Sequence, residues 1–163
     1  MKLYMKQRVF SWRDKFHVKD AAEVDRYYVE GEVFTLGKKL HVYDAEGREV
    51  AFIRQKVMSL LPRYYIEIGG TTVEIVKEFT LLKPRFRFEG LPWRLEGDFF
   101  EHNYTLIDGE RTVMQMTKAW FSWGDSYELD IADAGSELMC LCIALAVDAV
   151  LDDQTAAAVA TSS

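Results

Sequence analysis

Apolar residues along this chain return at a spacing of two, stop for about six residues, and return again at two. The pattern repeats six times when the chain is aligned on Val9, Val33, Val57, Phe79, Phe99 and Trp120, which stand 24, 24, 22, 20 and 21 residues apart. Four positions before each anchor come Met5, Val29, Ile53, Ile75, Leu95 and Met116, all apolar. Two before come Gln7, Gly31, Gln55, Lys77, Gly97 and Lys118, all polar or glycine. Seven and nine after come Phe16 and Val18, Leu40 and Val42, Tyr64 and Ile66, Phe86 and Phe88, Tyr127 and Leu129. The fifth repeat matches with a two-residue deletion, at Tyr104 and Leu106. Period-two spacing on both sides of a short gap predicts two strands and a turn. The six repeats predict six hairpins and twelve strands. The links between them, such as DAEGR at 44–48, Gly69-Gly70 and DGER at 108–111, are turn-like and short, which forces an antiparallel meander.

Twelve strands in an open sheet leave long edges free to aggregate, so a closed barrel is expected. With strands about 4.8 Å apart and tilted about 40°, it is roughly 24 Å across. Such a barrel is too wide to fill with its own side chains, and the C-terminal segment supplies a plug. LMCLCIALAVDAVL is apolar on every side except at Asp148, and a helix hydrophobic all round is buried all round. Asp133 or Ser136 can cap it. The expected architecture is therefore mainly β: one domain over 1–151, a closed twelve-stranded antiparallel barrel around a buried hydrophobic helix at about 136–151. Residues 152–163 are expected to form a disordered tail. Leu141, Ile143, Leu145 and Val147 should be wholly buried. Asp148 should find a cation, with Lys77 and Lys118 the candidates in the inward polar column.

Composition narrows function by exclusion. A net charge of −6 disfavours nucleic acid, whose phosphates demand clustered Lys and Arg. Cys140 and Cys142 are two apart in an apolar run, a spacing that suits neither a redox pair nor a zinc pair, and they read as buried thiols in a reducing compartment. The first ten residues lack the apolar stretch of a signal peptide. The longest apolar run, Leu138–Val147, falls short of the about 20 residues a membrane span needs. A cytoplasmic protein, peripheral to the membrane at most, is expected.

Several unusual strings, VFTLGKKL at 33–40, QKVMSLLPRYYIE from Gln55, FTLLKPRFRFEG at 79–90, EGDFFEHNY at 96–104 and KAWFSWGDSYELDIAD at 118–133, resemble those of the LOR (LURF-one-related) family. The resemblance covers nearly the whole chain to Leu151. It implies a fold similar to the tubby C-terminal domain and to phospholipid scramblases. Tubby domains bind phosphoinositides through basic residues, but no tubby-type basic motif, acidic calcium loop or cysteine-rich patch can be matched here, so no binding residue is carried over.

No nucleophile elbow, HExxH, P-loop or dinucleotide fingerprint is present, and no enzyme, cofactor or metal is expected. His17 and His41 share a repeat position, eight after the anchor, but that position faces outward with no converging ligands. Asp14 and Asp125 read as turn residues. Trp12 and Trp123 fall at hairpin tips, where they could close the barrel end. One column carries candidate chemistry. Lys15, Lys39, Arg63 and Arg85 lie six after their anchors, joined by Lys38 and Lys83, all on the tip rim. That rim is the candidate anion site, with a phosphoinositide-like headgroup as the expected ligand. The same cations could instead neutralise the C-terminal end of the plug helix, whose dipole emerges there with Asp152 and Asp153. A binding module for an anionic ligand and a protein-interaction scaffold with no small ligand both remain open.

Overall fold

The computed structural model describes residues 1–6, 15–32 and 34–162. Twelve strands follow in order: β1 (Lys2–Lys6), β2 (Lys15–Asp20), β3 (Asp25–Gly31), β4 (Lys39–Asp44), β5 (Glu49–Gln55), β6 (Arg63–Ile68), β7 (Thr71–Glu78), β8 (Arg85–Glu89), β9 (Trp93–Asp98), β10 (Asn103–Asp108), β11 (Arg111–Phe121) and β12 (Gly124–Ile131). A 3-10 turn, Ala134–Ser136, leads into the helix α1 (Glu137–Ser162). The sheet order is β8-β7-β6-β5-β4-β3-β2-β1-β12-β11-β10-β9, antiparallel throughout. The first and last strands of the chain are joined, Lys2 facing Asp130 and Met5 facing Tyr127.

The barrel is nearly closed. No ladder joins β8 to β9 among the described residues, although the two strands lie against each other. Pro92, at the foot of β9, has no N–H to offer, and the seam is filled by side chains instead. Phe86 of β8 and Phe99 after β9 meet edge to face, ring centroids 5.0 Å apart.

Both apolar columns read from the repeat point into the lumen. Met5, Val29, Ile53, Ile75, Leu95 and Met116 are buried, as are Phe16, Val18, Leu40, Val42, Tyr64, Ile66, Phe86, Phe88, Tyr104, Leu106, Tyr127 and Leu129. The anchors themselves behave differently. Phe99 is buried, but Val57 and Phe79 project beyond the ladder, and Trp120, still paired with Asp125, is exposed. Val9 and Val33 lie outside the described residues. Gly97 sits at φ 131, where an added Cβ would come within 2.5 Å of the Asn103 carbonyl, so the column needs glycine there for close backbone approach.

The helix fills the lumen. Asp133 accepts from the Ser136 backbone N–H at its start, and every residue from Cys140 to Val147 is buried. By length and composition α1 could cross a membrane, but 72% of its most apolar window is buried inside the barrel. The helix does not end at Leu151. It continues to Ser162, correcting the expectation of a disordered tail: Ala156, Ala157, Ala158 and Ala160 are strong helix formers, and no Gly or Pro interrupts them. Burial also keeps the two thiols inert, pushing Cys140 up to about 12 and Cys142 higher still.

The wall thus depends on the plug for its core. Ile143→Ala removes side-chain volume from the centre of the lumen and should cost about 2–5 kcal/mol. Urea unfolding of the variant against the parent measures it. A loss below 1 kcal/mol, roughly that of a surface change, would show that the lumen is not packed around the helix.

Candidate functional site

The hairpin tips, at 32–38, 56–62, 79–84, 99–102 and 122–123, share one rim because every strand pair turns at the same end of the meander. The helix C-terminal half leaves through that rim. The six cations read from the sequence are all there, yet they occupy three different environments.

Lys38 serves the helix. Its Nζ lies 2.8 Å from both Asp152 Oδ2 and Asp153 Oδ1 and donates to the Ala149 carbonyl at 3.3 Å. Asp153 also accepts from Tyr64 OH at 2.9 Å and Gln55 Nε2 at 3.1 Å. Burial first, and the Asp153 charge second, push the Tyr64 hydroxyl far above its usual range. One lysine and a hydrogen-bonded collar thus neutralise the two acids, but the helix runs on to Ser162, so its C-terminal dipole does not end at this rim as expected.

Lys15, Lys39 and Arg63 serve the wall. Each faces a nearby acid: Lys15 with Glu30 of β3 at 3.3 Å, Lys39 with Glu32 just past β3 at 3.7 Å, Arg63 with Glu74 of β7 at 2.6 Å. Such exposed or half-exposed pairs contribute little each.

Lys83 and Arg85 are exposed and carry no ion pair among the described residues. They stand on the lip of a cleft of about 710 Å³ where the tip of β7–β8 meets β9. Leu81, Leu82, Leu95 and Phe99 supply its apolar lining, and Glu96 adds one acid. It opens along the seam that lacks a ladder.

The same end of the barrel is greasy. Phe34, Leu36, Met58, Leu60, Phe79, Leu81, Leu82, Phe100 and Trp120 are exposed there. The period-two reading took Phe79 and Trp120 as anchors and passed over the others. Their signal is present in the strings FTLGK, MSLLP and FTLLKP, which place consecutive apolar residues where tight turns ordinarily carry Gly, Asn, Asp or Ser.

Asp148 is buried and paired, but not with a lysine. His102 Nε2 lies 2.9 Å from Asp148 Oδ1, and its ring stacks on Tyr127 at 4.3 Å. Lys118 instead meets Glu101 at the surface, 3.0 Å away. An ammonium is strongly hydrated and stays at the rim, whereas the tip residue His102, at φ 51, turns its ring inward. His102 Nδ1 and Tyr104 OH, both buried, have no hydrogen-bond partner among the described residues.

The remaining candidates are structural. His17 lies 3.4 Å from Asp25, and His41 bridges Glu49 at 2.6 Å and Glu32 at 2.7 Å. Burial pulls the His41 pKa down, but these two carboxylates outweigh it and the net shift is upward. Among the described residues no three potential ligands converge on a metal position. Trp123 does not close the mouth. It donates to Ser126 Oγ at 2.7 Å and packs on the outer wall beside Phe121, under Lys19. Trp12 and Asp14 lie outside the described residues.

The barrel, its plug and its tip strings can now be set beside known proteins. The family model described as LURP-one-related matches residues 1–148. The chain belongs to the LOR family. It is 46% identical over 152 residues to the Bacillus subtilis (strain 168) protein named Uncharacterized protein YxjI, covering 93% of this chain and 94% of that one. Its fold is similar to the X-ray structure of the Arabidopsis thaliana protein AT5G01750, with a TM-score of 0.58 at 17% identity over 90% of each chain. The LOR barrel of this chain therefore matches its relatives along almost its whole length.

Two outcomes test the division of labour on the rim. Lys38→Gln leaves two carboxylates without their cation and should cost about 1–2 kcal/mol, between a surface and a buried pair. Lys83→Gln and Arg85→Gln should stay within about 0.5 kcal/mol of the parent. Thermal unfolding of the three variants compares them, and equal losses would contradict the assignment.

Asp148 gives a pH-dependent outcome. Burial holds its carboxyl above the ordinary 3.8, against the opposing pull of His102. A raised folded pKa stabilises the fold while the group is protonated, and that contribution is lost as pH rises through the folded value. Asp148→Asn keeps the shape without a charge to bury, so it should match or exceed the parent by about 1 kcal/mol at pH 7. The gap should close as pH falls toward 3.8. Urea unfolding across that range reads it; a large loss at neutral pH would mean that the His102 pair outweighs the burial cost.

Proposed function

We propose that this chain is a non-enzymatic binding module that takes an anionic, phosphate-bearing group at the seam cleft of its tip rim. The observation that carries the reading is the pair Lys83 and Arg85, exposed and without an ion-pair partner among the described residues, on the lip of an apolar cleft. An arginine can grip a phosphate with two parallel hydrogen bonds, and a neighbouring lysine adds a point charge. Leu81, Leu82, Leu95 and Phe99 below them suit the apolar part of an amphiphile. A lipid headgroup joins those two chemistries, and the family's resemblance to phosphoinositide-binding tubby domains points the same way. The remaining four cations belong to the helix acids and the wall, and we assign them no ligand. In this reading the protein works in the cytoplasm, at the surface of a membrane.

The test is vesicle flotation. Vesicles of phosphatidylcholine carrying phosphatidylinositol phosphate should float the protein, and vesicles of phosphatidylcholine alone should do so less. Binding should weaken steeply with salt, since exposed charges are screened over about 10 Å at 0.1 M. The double change Lys83→Gln with Arg85→Gln should lower affinity at least about tenfold without altering the melting temperature. Inositol hexakisphosphate, titrated by calorimetry, separates a headgroup from a free phosphate ligand. Indifference of both probes to the double change would remove the anion reading and leave a protein-interaction scaffold.

A further inference from the structure

The rim has a second property, only part of which the anion site uses. Six side chains on three successive hairpin tips, Phe34, Leu36, Met58, Leu60, Leu81 and Leu82, point into solvent, the smallest exposure being 86% for Leu36. We propose that these tips, 34–38, 56–62 and 79–84, wedge into a lipid bilayer and seat the barrel on it mouth first. The inference deepens the headgroup reading and rests on it for the anionic part of the surface.

Soluble proteins keep large apolar patches covered, and an uncovered one marks a contact surface. Three features select a bilayer as the occupant. The first is shape. Phe34, Leu36, Met58 and Leu60 are so exposed that they stand out as prongs, and Leu81 and Leu82, which also edge the seam cleft, project from the next tip. A protein partner needs a complementary packed surface. A bilayer needs only that the prongs reach one plane. The hairpins β3–β4, β5–β6 and β7–β8 are consecutive in the sheet, and strands about 4.8 Å apart put neighbouring tips about 10 Å from each other on one arc.

The second feature is charge. The chain carries −6 overall, yet the three tips contain Lys38, Lys56 and Lys83 and no acid. The turns at the opposite end carry Glu23, Glu46 and Glu110. These three tips are therefore apolar and cationic, with Lys56 and Lys83 outside any ion pair among the described residues and Lys38 engaged by Asp152 and Asp153. Apolar prongs backed by lysines match the layering of an anionic membrane, acyl chains beneath phosphates.

The third is backbone strain. Phe34 and Met58 occupy the same repeat position, one after the anchor, and both take left-handed backbone, φ 60 and 58. That region is unfavourable for bulky residues, and its recurrence in adjacent hairpins holds both side chains outward at a conformational cost the fold does not need. The last turns of α1 leave by the same mouth, and residues 156–162 carry no ionisable side chain.

The full chain tests this with the tips farthest from the seam cleft. Phe34→Ser, Met58→Ser and Leu60→Ser together should lower affinity for vesicles of phosphatidylcholine and phosphatidylserine at least about tenfold. The loss should persist at about 0.5 M salt, where charge attraction is screened. Binding of inositol hexakisphosphate should be unchanged. A Leu60→Trp reporter should shift to the blue and be quenched by lipids brominated on the acyl chains. Vesicle binding indifferent to the triple change, with no quenching, overturns the wedge. So does a triple change that dissociates a dimer in sedimentation while leaving vesicle binding intact, which would assign the tips to a second copy. Binding of inositol hexakisphosphate without vesicle binding sinks the wedge and spares the anion site; loss of both sinks both.

Discussion

Everything in this molecule follows from putting an all-apolar helix inside a twelve-stranded wall. Neither part is stable alone. A barrel of this width has a lumen that its own inward residues cannot fill, and a helix such as LMCLCIALAVDAVL has no polar face to give to water. Each satisfies the other, so the inward columns and the residues from Cys140 to Val147 form one core. Close packing at that interface also explains why the sheet tolerates a seam without a ladder between β8 and β9. Helix and side chains, not backbone hydrogen bonds, hold the two edges together there.

The plug imposes a polarity on the rim. The helix passes through this rim and runs on to Ser162, so what it presents there is the pair Asp152 and Asp153 in the middle of a ring of tips. Lys38, Gln55 and Tyr64 form the collar that these acids require. The requirement is local, since the two carboxylates reach only the side chains beside them. Arg63 is already taken by Glu74, and Lys83 and Arg85 sit across the rim at the seam. Stability thus accounts for one of the six cations through the helix and for three through the wall.

The wall was legible in the sequence because period-two alternation is a direct consequence of strand geometry. Columns such as Met5, Val29, Ile53 and Ile75 could be placed inside without knowing the register. The tips were not legible by the same rule. Alternation does not say where pairing or burial ends, so Val57 and Phe79 extend the inward column past the ladder and into water, and Trp120 is exposed while still paired with Asp125. The partner of Asp148 was hidden for a related reason. His102 reaches it only because a left-handed backbone at the tip reverses the side chain, and no periodicity encodes that. The extent of α1 was not legible past Asp152 because the residues there are small and polar, whereas the alanines among them sustain the helix.

A rim that must both neutralise the helix acids and meet an external anion faces a conflict, because a cation committed to one task is lost to the other. The repeat resolves it by letting equivalent positions diverge. Lys39, Arg63 and Arg85 share one column, yet the first two each meet a nearby glutamate. Arg85 lies opposite Glu78, whose carboxylate is held by Arg87 at 3.2 Å. Arg85 is left exposed at the seam, where β8 has no ladder partner on its other side. The openness of that one arginine is therefore a product of the same feature that leaves the barrel short of closure. An anion site at this rim is best placed at the seam, where, among the described residues, an exposed arginine and an exposed lysine without ion pairs border one cleft.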